Sequence, residues 1–183
     1  MIDPLHIPDV FPPADCARLF AIASAGAFDD AGLVRRTRDD TIRRARVQWL
    51  DDGADAAWAM GRVVDTVIEA NRRHFMFDLT EFAERMQIAW YDAAQEGHFD
   101  WHVDVGDGQF AQKRKLTLVV QLSDPDAYEG GALEINADGH AHAANRARGS
   151  ATLFPSFMPH RVTPVTAGER YSLTTWIHGP AFR

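Results

Sequence analysis

The sequence predicts an α+β chain that is mainly β, with helices in front and a sandwich or barrel of short antiparallel strands behind. Three observations carry this expectation. Two stretches, ADCARLFAIAS from Ala14 and the run from Ala54 to Phe75, place apolar residues at helical spacing. From Glu84 onward the apolar period drops to two, the mark of strands with two distinct faces. Turn residues at Asp124-Pro125, Gly130-Gly131, Asp138-Gly139, Gly149, Pro155, Pro164 and Gly168 then cut the second half into short runs.

In the first helix, after Pro12-Pro13, Cys16, Leu19, Phe20 and Ala23 share one side, and Asp15 sits in the first turn, where the helix dipole favours an anion. The second helix gathers Trp58, Gly61, Val64, Val67, Ile68, Asn71 and Phe75 on one side and Arg62, Asp65, Glu69 and Arg72 on the other. Trp58, Val64 and Phe75 read as core. In RMQIAWYDA, Gln87, Ala89 and Tyr91 face one way, and Met86, Ile88 and Trp90 the other. KLTLVVQLSD, GALEI, GSATLFPS, MPHRVTPV and RYSLTTWIHG follow as further strands, with Trp90, Leu116, Leu118, Val120 and Leu122 expected in sheet packing. Residues 136–149, NADGHAHAANRARG, read as a loop or lid. Nothing repeats at a fixed period. The 183 residues therefore read as one domain, 1–183, with 1–83 as helical support and 84–179 as the β core.

The formal net charge of −7 offers no electrostatic footprint for nucleic acid or an anionic membrane. Cys16 is the single cysteine, which excludes an intramolecular disulfide and cysteine-based zinc sites. The N-terminal MIDPLHIPDVFPP lacks a charged-then-apolar leader, and no apolar run approaches the ~18 residues of a membrane span. A soluble cytoplasmic protein is expected.

Candidate chemistry begins in HFDWHVDVG, residues 98–106. On a strand His102 and Asp104 point the same way while Val103 faces the other. Two ligands do not hold a metal; a second histidine would complete the two-histidine, one-carboxylate set suited to Fe(II). His6 and His74 belong to the helical front. His98 shares the His102 face but lies beyond intervening aromatics. His140 and His142 sit in a Gly/Ala-rich loop that reads more simply as solvated, and His178 precedes Gly179-Pro180 as a structural residue. His160 differs, because Arg170 follows ten positions later at the head of RYSLTTWI. A turn through Pro164 to Gly168 would pair these two strands and bring a guanidinium, suited to bidentate capture of a carboxylate, close to the metal. Such a set suits an oxygenase that chelates iron through 2-oxoglutarate and needs a buried cation for its distal carboxylate.

The ordered pieces Tyr91, Gly97-x-Phe99-x-x-His102-x-Asp104, KLTLVVQLSD, Glu129-Gly130-Gly131-Ala132-Leu133, Gly149-Ser150-Ala151, Leu153-Phe154-Pro155-Ser156, His160 with Val162-Thr163-Pro164, Arg170-Tyr171-Ser172-Leu173 and Trp176 resemble the Fe(II)/2-oxoglutarate dioxygenases of the prolyl 4-hydroxylase type. The resemblance spans roughly 84–179. It implies a double-stranded β-helix, or jelly roll, with helices packed on one side. It also implies His102, Asp104 and His160 as ligands of Fe(2+) and Arg170 as the 2-oxoglutarate anchor. Tyr91, Gln87 and Trp176 are carried over as further co-substrate contacts, Phe99 and Trp101 as pocket wall, and ascorbate as an accessory reductant. Two positions depart from the pattern: Phe99 stands where many relatives have tyrosine, and Arg170 where collagen-type enzymes have lysine. Asp104, which related halogenases replace with a small residue, argues for hydroxylation. The expected reaction is therefore hydroxylation of an unactivated C–H bond with dioxygen and 2-oxoglutarate, on a prolyl or other side chain of a peptide or protein. A free amino acid or small metabolite is the alternative substrate, and a non-catalytic metal-binding or sensor jelly roll the alternative class.

Overall fold

The computed structural model describes residues 2–30, 41–51, 53 and 55–182; Ala54, where the second helix was expected to begin, lies outside them. In chain order the elements are β1 (Leu5–Ile7), α1 (Pro13–Ser24), β2 (Asp29–Asp30), β3 (Arg43–Arg44), β4 (Arg46–Trp49), α2 (Ala57–Ala70), β5 (Gln87–Asp92), β6 (His98–His102), β7 (Arg114–Gln121), β8 (Tyr128–Gly130), β9 (Leu133–Asn136), β10 (Ala141–Ala143), β11 (Ala151–Pro155), β12 (His160–Val162) and β13 (Val165–His178). A π-helical turn, Asn71–Phe75, extends α2.

Two antiparallel sheets face each other. The larger runs β1-β11-β7-β13-β5-β4-β2 with β8 also on β13, and the smaller runs β10-β9-β12-β6-β3. This is the jelly-roll arrangement, in which the chain passes from one sheet to the other. The alternation read from the sequence assigns the faces. One face of the larger sheet packs Ile88, Leu116, Leu118, Val120, Leu153, Leu173 and Ile177 against Leu19 of α1 and Val63 and Val67 of α2. Burying each such side chain contributes roughly 1.5–3 kcal/mol. The other face joins Ala89, Tyr91 and Val119 to Leu133, Ile135 and Val162 of the smaller sheet. Gln87, Ala89 and Tyr91 do share a face, and that face looks into the molecule between the sheets.

Four expectations change. The described residues of 1–83 supply four strands as well as two helices, because β1 pairs with distant β11, β3 with β6, and β4 with β5. The buried stripe of α2 is Ala59, Val63, Val67 and Ala70, while Val64 is half-buried and Ile68 is 58% exposed. Apart from the Arg62, Asp65 and Glu69 side, the helix has a broad apolar arc with room for more than one stripe, and the stripe with small alanines at both ends lies against the sheet. The chain after His160 does not turn back on itself: β12 and β13 belong to different sheets. It crosses at Thr163-Pro164, where Thr163 N–H donates to Ala132 O and Gly131 N–H to Pro164 O, and Gly168 lies inside β13 with φ +68. Finally, 136–149 holds the turn and second strand of the β9–β10 hairpin at the edge of the smaller sheet, and none of its residues lines the central cavity.

Candidate active site

His102 ends β6 and His160 opens β12, and the antiparallel register sets the two directly opposite each other. Their rings lie 4.1 Å apart. Asp104 follows in the turn after β6, where its N–H donates to Ser156 O at 2.9 Å and folds the carboxylate back between the sheets. His160 Nε2 is 3.4 Å from one carboxylate oxygen and His102 Nε2 is 3.8 Å from the other. One ligand atom from each of the three residues lies within 4.8 Å of the rest.

The hydrogen bonds around these groups prepare them for a cation. His102 Nδ1 meets the Asp100 carbonyl at 2.7 Å, and His160 Nδ1 meets the Met158 carbonyl at 3.0 Å. A carbonyl only accepts, so each Nδ1 carries the proton and each Nε2 presents a lone pair to the centre. Burial, together with His160 nearby, pulls the His102 pKa down to about 4, which keeps its ring neutral around pH 7. Burial alone would raise Asp104; the neighbouring His160 and His102 rings, the Arg114 guanidinium and the Thr117 hydrogen bond outweigh it and hold the carboxyl at about 2. Thr117 Oγ1 donates to Asp104 Oδ2 at 2.7 Å. Two imidazole Nε2 atoms and one ionised carboxylate on a concave wall fit a divalent first-row metal with open positions.

Across the cavity, Arg170 projects from β13 and is 1% exposed. Its Nε and Nη2 both donate to Gln121 Oε1, at 3.2 and 3.0 Å, while the buried Nη1 has no hydrogen-bond partner among the described residues. An unsatisfied buried guanidinium N–H is costly, and an anionic ligand's oxygen would satisfy it. Gly131, at φ +59, lets the backbone pass close to this arginine: a Cβ there would lie 2.9 Å from Val165 Cγ2 and 3.1 Å from Arg170 Cδ.

The triad, Arg170, Gln87, Tyr91, Phe99 and Trp176 all line one cavity of about 730 Å³. Trp101 does not. Its ring is turned outward under the Arg161 guanidinium, 4.8 Å away, opposite to its neighbour His102, and the register shift between the His102 and Phe99 pairings puts Phe99 on the cavity side in its place. His98 bonds the backbone carbonyls of Glu96 and Thr41. His140 and His142 are exposed beside Asp138. His74 bonds the Asp3 carbonyl, and His6 sits on β1. His178 is buried between the Ala83 N–H and Glu84.

Four cavity-side groups were missed by sequence reasoning: Arg43, Arg114, Thr117 and Gln121. Arg114 forms a bidentate pair with Glu84, donates to the Asp104 carbonyl at 3.2 Å and lies over the Trp176 ring. Thr117 and Gln121 belonged to a strand read as packing, and their even spacing on the inward face was the available signal. Arg43 gave no local signal.

A family profile described as the 2OG-Fe(II) oxygenase superfamily matches residues 86–178. A PKHD-type hydroxylase of Burkholderia lata is 31% identical over 179 residues, covering 94% of this chain and 77% of that protein. The crystal structure of a Pseudomonas putida prolyl-4-hydroxylase superposes with a TM-score of 0.73 at 25% identity, covering 96% of this chain and 91% of the other. A Trichoplax adhaerens prolyl hydroxylase, solved with a peptide fragment of the hypoxia inducible factor oxygen degradation domain, shares the fold with a TM-score of 0.80 at 20% identity. It covers 97% of this chain and 84% of the other.

Proposed function

Since the chain belongs to the 2OG-Fe(II) oxygenase superfamily, an enzyme family that uses Fe(2+) and 2-oxoglutarate, we propose that it hydroxylates a prolyl or other amino-acid side chain in a peptide or protein. The observation that carries the site assignment is the pairing, across one cavity, of the His102, Asp104 and His160 cluster with the unsatisfied Nη1 of Arg170. His102, Asp104 and His160 hold the iron, and Arg170 takes the distal carboxylate of 2-oxoglutarate. Tyr91, Gln87 and Trp176 wall the co-substrate, and Phe99 walls the metal side of the cavity. When bound, iron and 2-oxoglutarate with dioxygen supply the oxidative chemistry: 2-oxoglutarate becomes succinate and carbon dioxide, and one oxygen atom enters the C–H bond.

The chain's own residues orient and dry the site. The Nδ1–H groups of both histidines stay on backbone carbonyls, which leaves each Nε2 directed at the metal position. Thr117 and the Asp104 N–H fix the carboxylate. Gln121 holds the Arg170 fork in plane for a carboxylate. A prolyl substrate is supported by the likeness to the P. putida prolyl-4-hydroxylase, which extends over 96% of this chain.

The test is succinate release from 2-oxoglutarate with added Fe(II), run with a panel of proline-containing peptides and of free amino acids, with products weighed for a gain of one oxygen. Coupled turnover and oxygen gain on a peptide support the reading. Oxygen gain on a free amino acid alone would replace the substrate class, and absence of any iron-dependent decarboxylation would favour a non-catalytic metal-binding jelly roll.

A further inference from the structure

Each ligand of the triad has a different support. Asp104 is fixed by Thr117 and the Ser156 carbonyl, and His160 is 5% exposed against the Phe154 ring, 4.8 Å away. His102, at the end of its strand, makes one side-chain hydrogen bond among the described residues, from Nδ1 to the Asp100 carbonyl, and its side chain is 17% exposed. A single hydrogen bond leaves the imidazole free to pivot about that bond. What stops the pivot is the Phe99 ring, which lies flat on the imidazole with centroids 3.4 Å apart and planes at 11°. Phe99 is in turn covered by the Arg43 guanidinium, 4.5 Å from its centroid. With one face of the ring occupied by His102 at such close range, the guanidinium takes the other.

We propose that Arg43 is a positioning residue for the iron ligand His102, acting through Phe99 as the outer layer of a guanidinium–phenyl–imidazole stack. Two further contacts make Arg43 a fixed plate. Strand β3 pairs with β6 so that Arg43 and Phe99 are Cα partners, which places the guanidinium beside the ring it covers. Across the cavity Nη2 donates to Gln87 Oε1 at 3.0 Å, and the Tyr91 hydroxyl is also within hydrogen-bonding reach. Gln87 and Tyr91 belong to the larger sheet, His102 and Phe99 to the smaller one. Arg43 therefore ties the ligand strand to the opposite wall. Phenylalanine suits this role at position 99: a bare ring stacks on both faces without a hydroxyl that must be hydrogen-bonded, and a cation over an aromatic face is attracted by its quadrupole.

The inference takes from the proposed function only that His102 ligates iron. It is tested on the metal-free protein by nuclear magnetic resonance of the two buried imidazole Nδ1–H protons, with His160 as internal reference. Arg43→Met keeps the apolar stem and removes the fork; it should speed solvent exchange of the His102 Nδ1–H at least tenfold and leave that of His160 unchanged. Arg43→Lys retains a cation over the ring and should recover part of the protection. Phe99→Leu should reproduce the loss, and the double variant should lose no more than the worse single one. Unchanged exchange at His102 in folded Arg43→Met, equal acceleration at both histidines, or additive losses in the double variant would overturn the proposal. If Arg43→Met does not fold, unaltered His102 exchange in Phe99→Leu overturns it, and a selective loss there with partial protection in Arg43→Lys sustains it. Failure of the iron-ligand assignment reads differently: His102→Ala would then still form succinate, whatever the exchange rates.

Discussion

Replacing Arg170 by methionine should raise the 2-oxoglutarate concentration needed for half-maximal turnover by one to two orders of magnitude. The side chain is 1% exposed, so its interactions are made away from water. Two of its donors are committed to Gln121 Oε1, and the unpaired Nη1 remains for the co-substrate. A hydrogen bond to a charged group contributes about 1.5–3 kcal/mol. At about 1.4 kcal/mol per factor of ten, that corresponds to roughly 10- to 150-fold. Methionine fills most of the volume, so the cavity wall is kept. Gln121 Oε1, however, loses both of its donors, at a further stability cost of about 1–3 kcal/mol. The two effects separate experimentally: succinate release against 2-oxoglutarate concentration at saturating Fe(II) reads the first, and thermal unfolding without co-substrate reads the second. Gln121→Leu alone should show a stability loss with a smaller change in the 2-oxoglutarate requirement. A half-saturation value within twofold of wild type in Arg170→Met would refute the assignment of this guanidinium as the anchor.

Thr117→Val removes the 2.7 Å hydrogen bond to Asp104 Oδ2 and should weaken Fe(II) binding about 10- to 100-fold, measured by titration of the metal-free protein. Glu84 responds to pH: burial would raise its carboxyl, but hydrogen bonds from His178 and Arg114 hold it below the usual 4.5. A carboxyl lowered on folding stabilises above its unfolded value and loses that contribution as pH falls through the folded one. Glu84→Gln should therefore lower the urea midpoint most at neutral pH, and the gap to wild type should narrow below pH 4.5; a gap constant with pH would count against the ion pair. Gly131→Ala forces a Cβ against Val165 and Arg170 at φ +59 and should cost about 1–3 kcal/mol. For a chain of this size that lowers Tm by roughly 2–4 °C per kcal/mol, with a raised 2-oxoglutarate requirement because Arg170 must shift. Asp104→Ala should abolish succinate formation while leaving the fold intact by circular dichroism.

Much of this was legible in the chain itself. The period-two pattern of Gln87, Ala89 and Tyr91 against Met86 and Ile88 assigned the two faces of β5, since alternation is a local property of extended backbone. The pairing of His102 with Asp104 was equally local. The helix α2 misled because its sequence offers apolar residues on several sides, and only the sheet beneath it selects Ala59, Val63, Val67 and Ala70.

The remainder needed the tertiary structure, because strand pairing joins residues with no sequence relation. Of eight histidines, His160 faces His102 because β12 and β6 are in register there. Arg170 reaches the site from the sheet opposite His160, across the crossing at Pro164, and not along a hairpin from it. Arg43 lies within 1–83, which the sequence marks only as helical support, 44 positions from the glutamine it bonds. The sequence by itself determined which side chains could ligate, anchor and pack, because those capacities reside in each residue and its immediate neighbours. Only the folded chain decided which of them meet, because closing the two sheets over one cavity is a long-range event that no local pattern encodes.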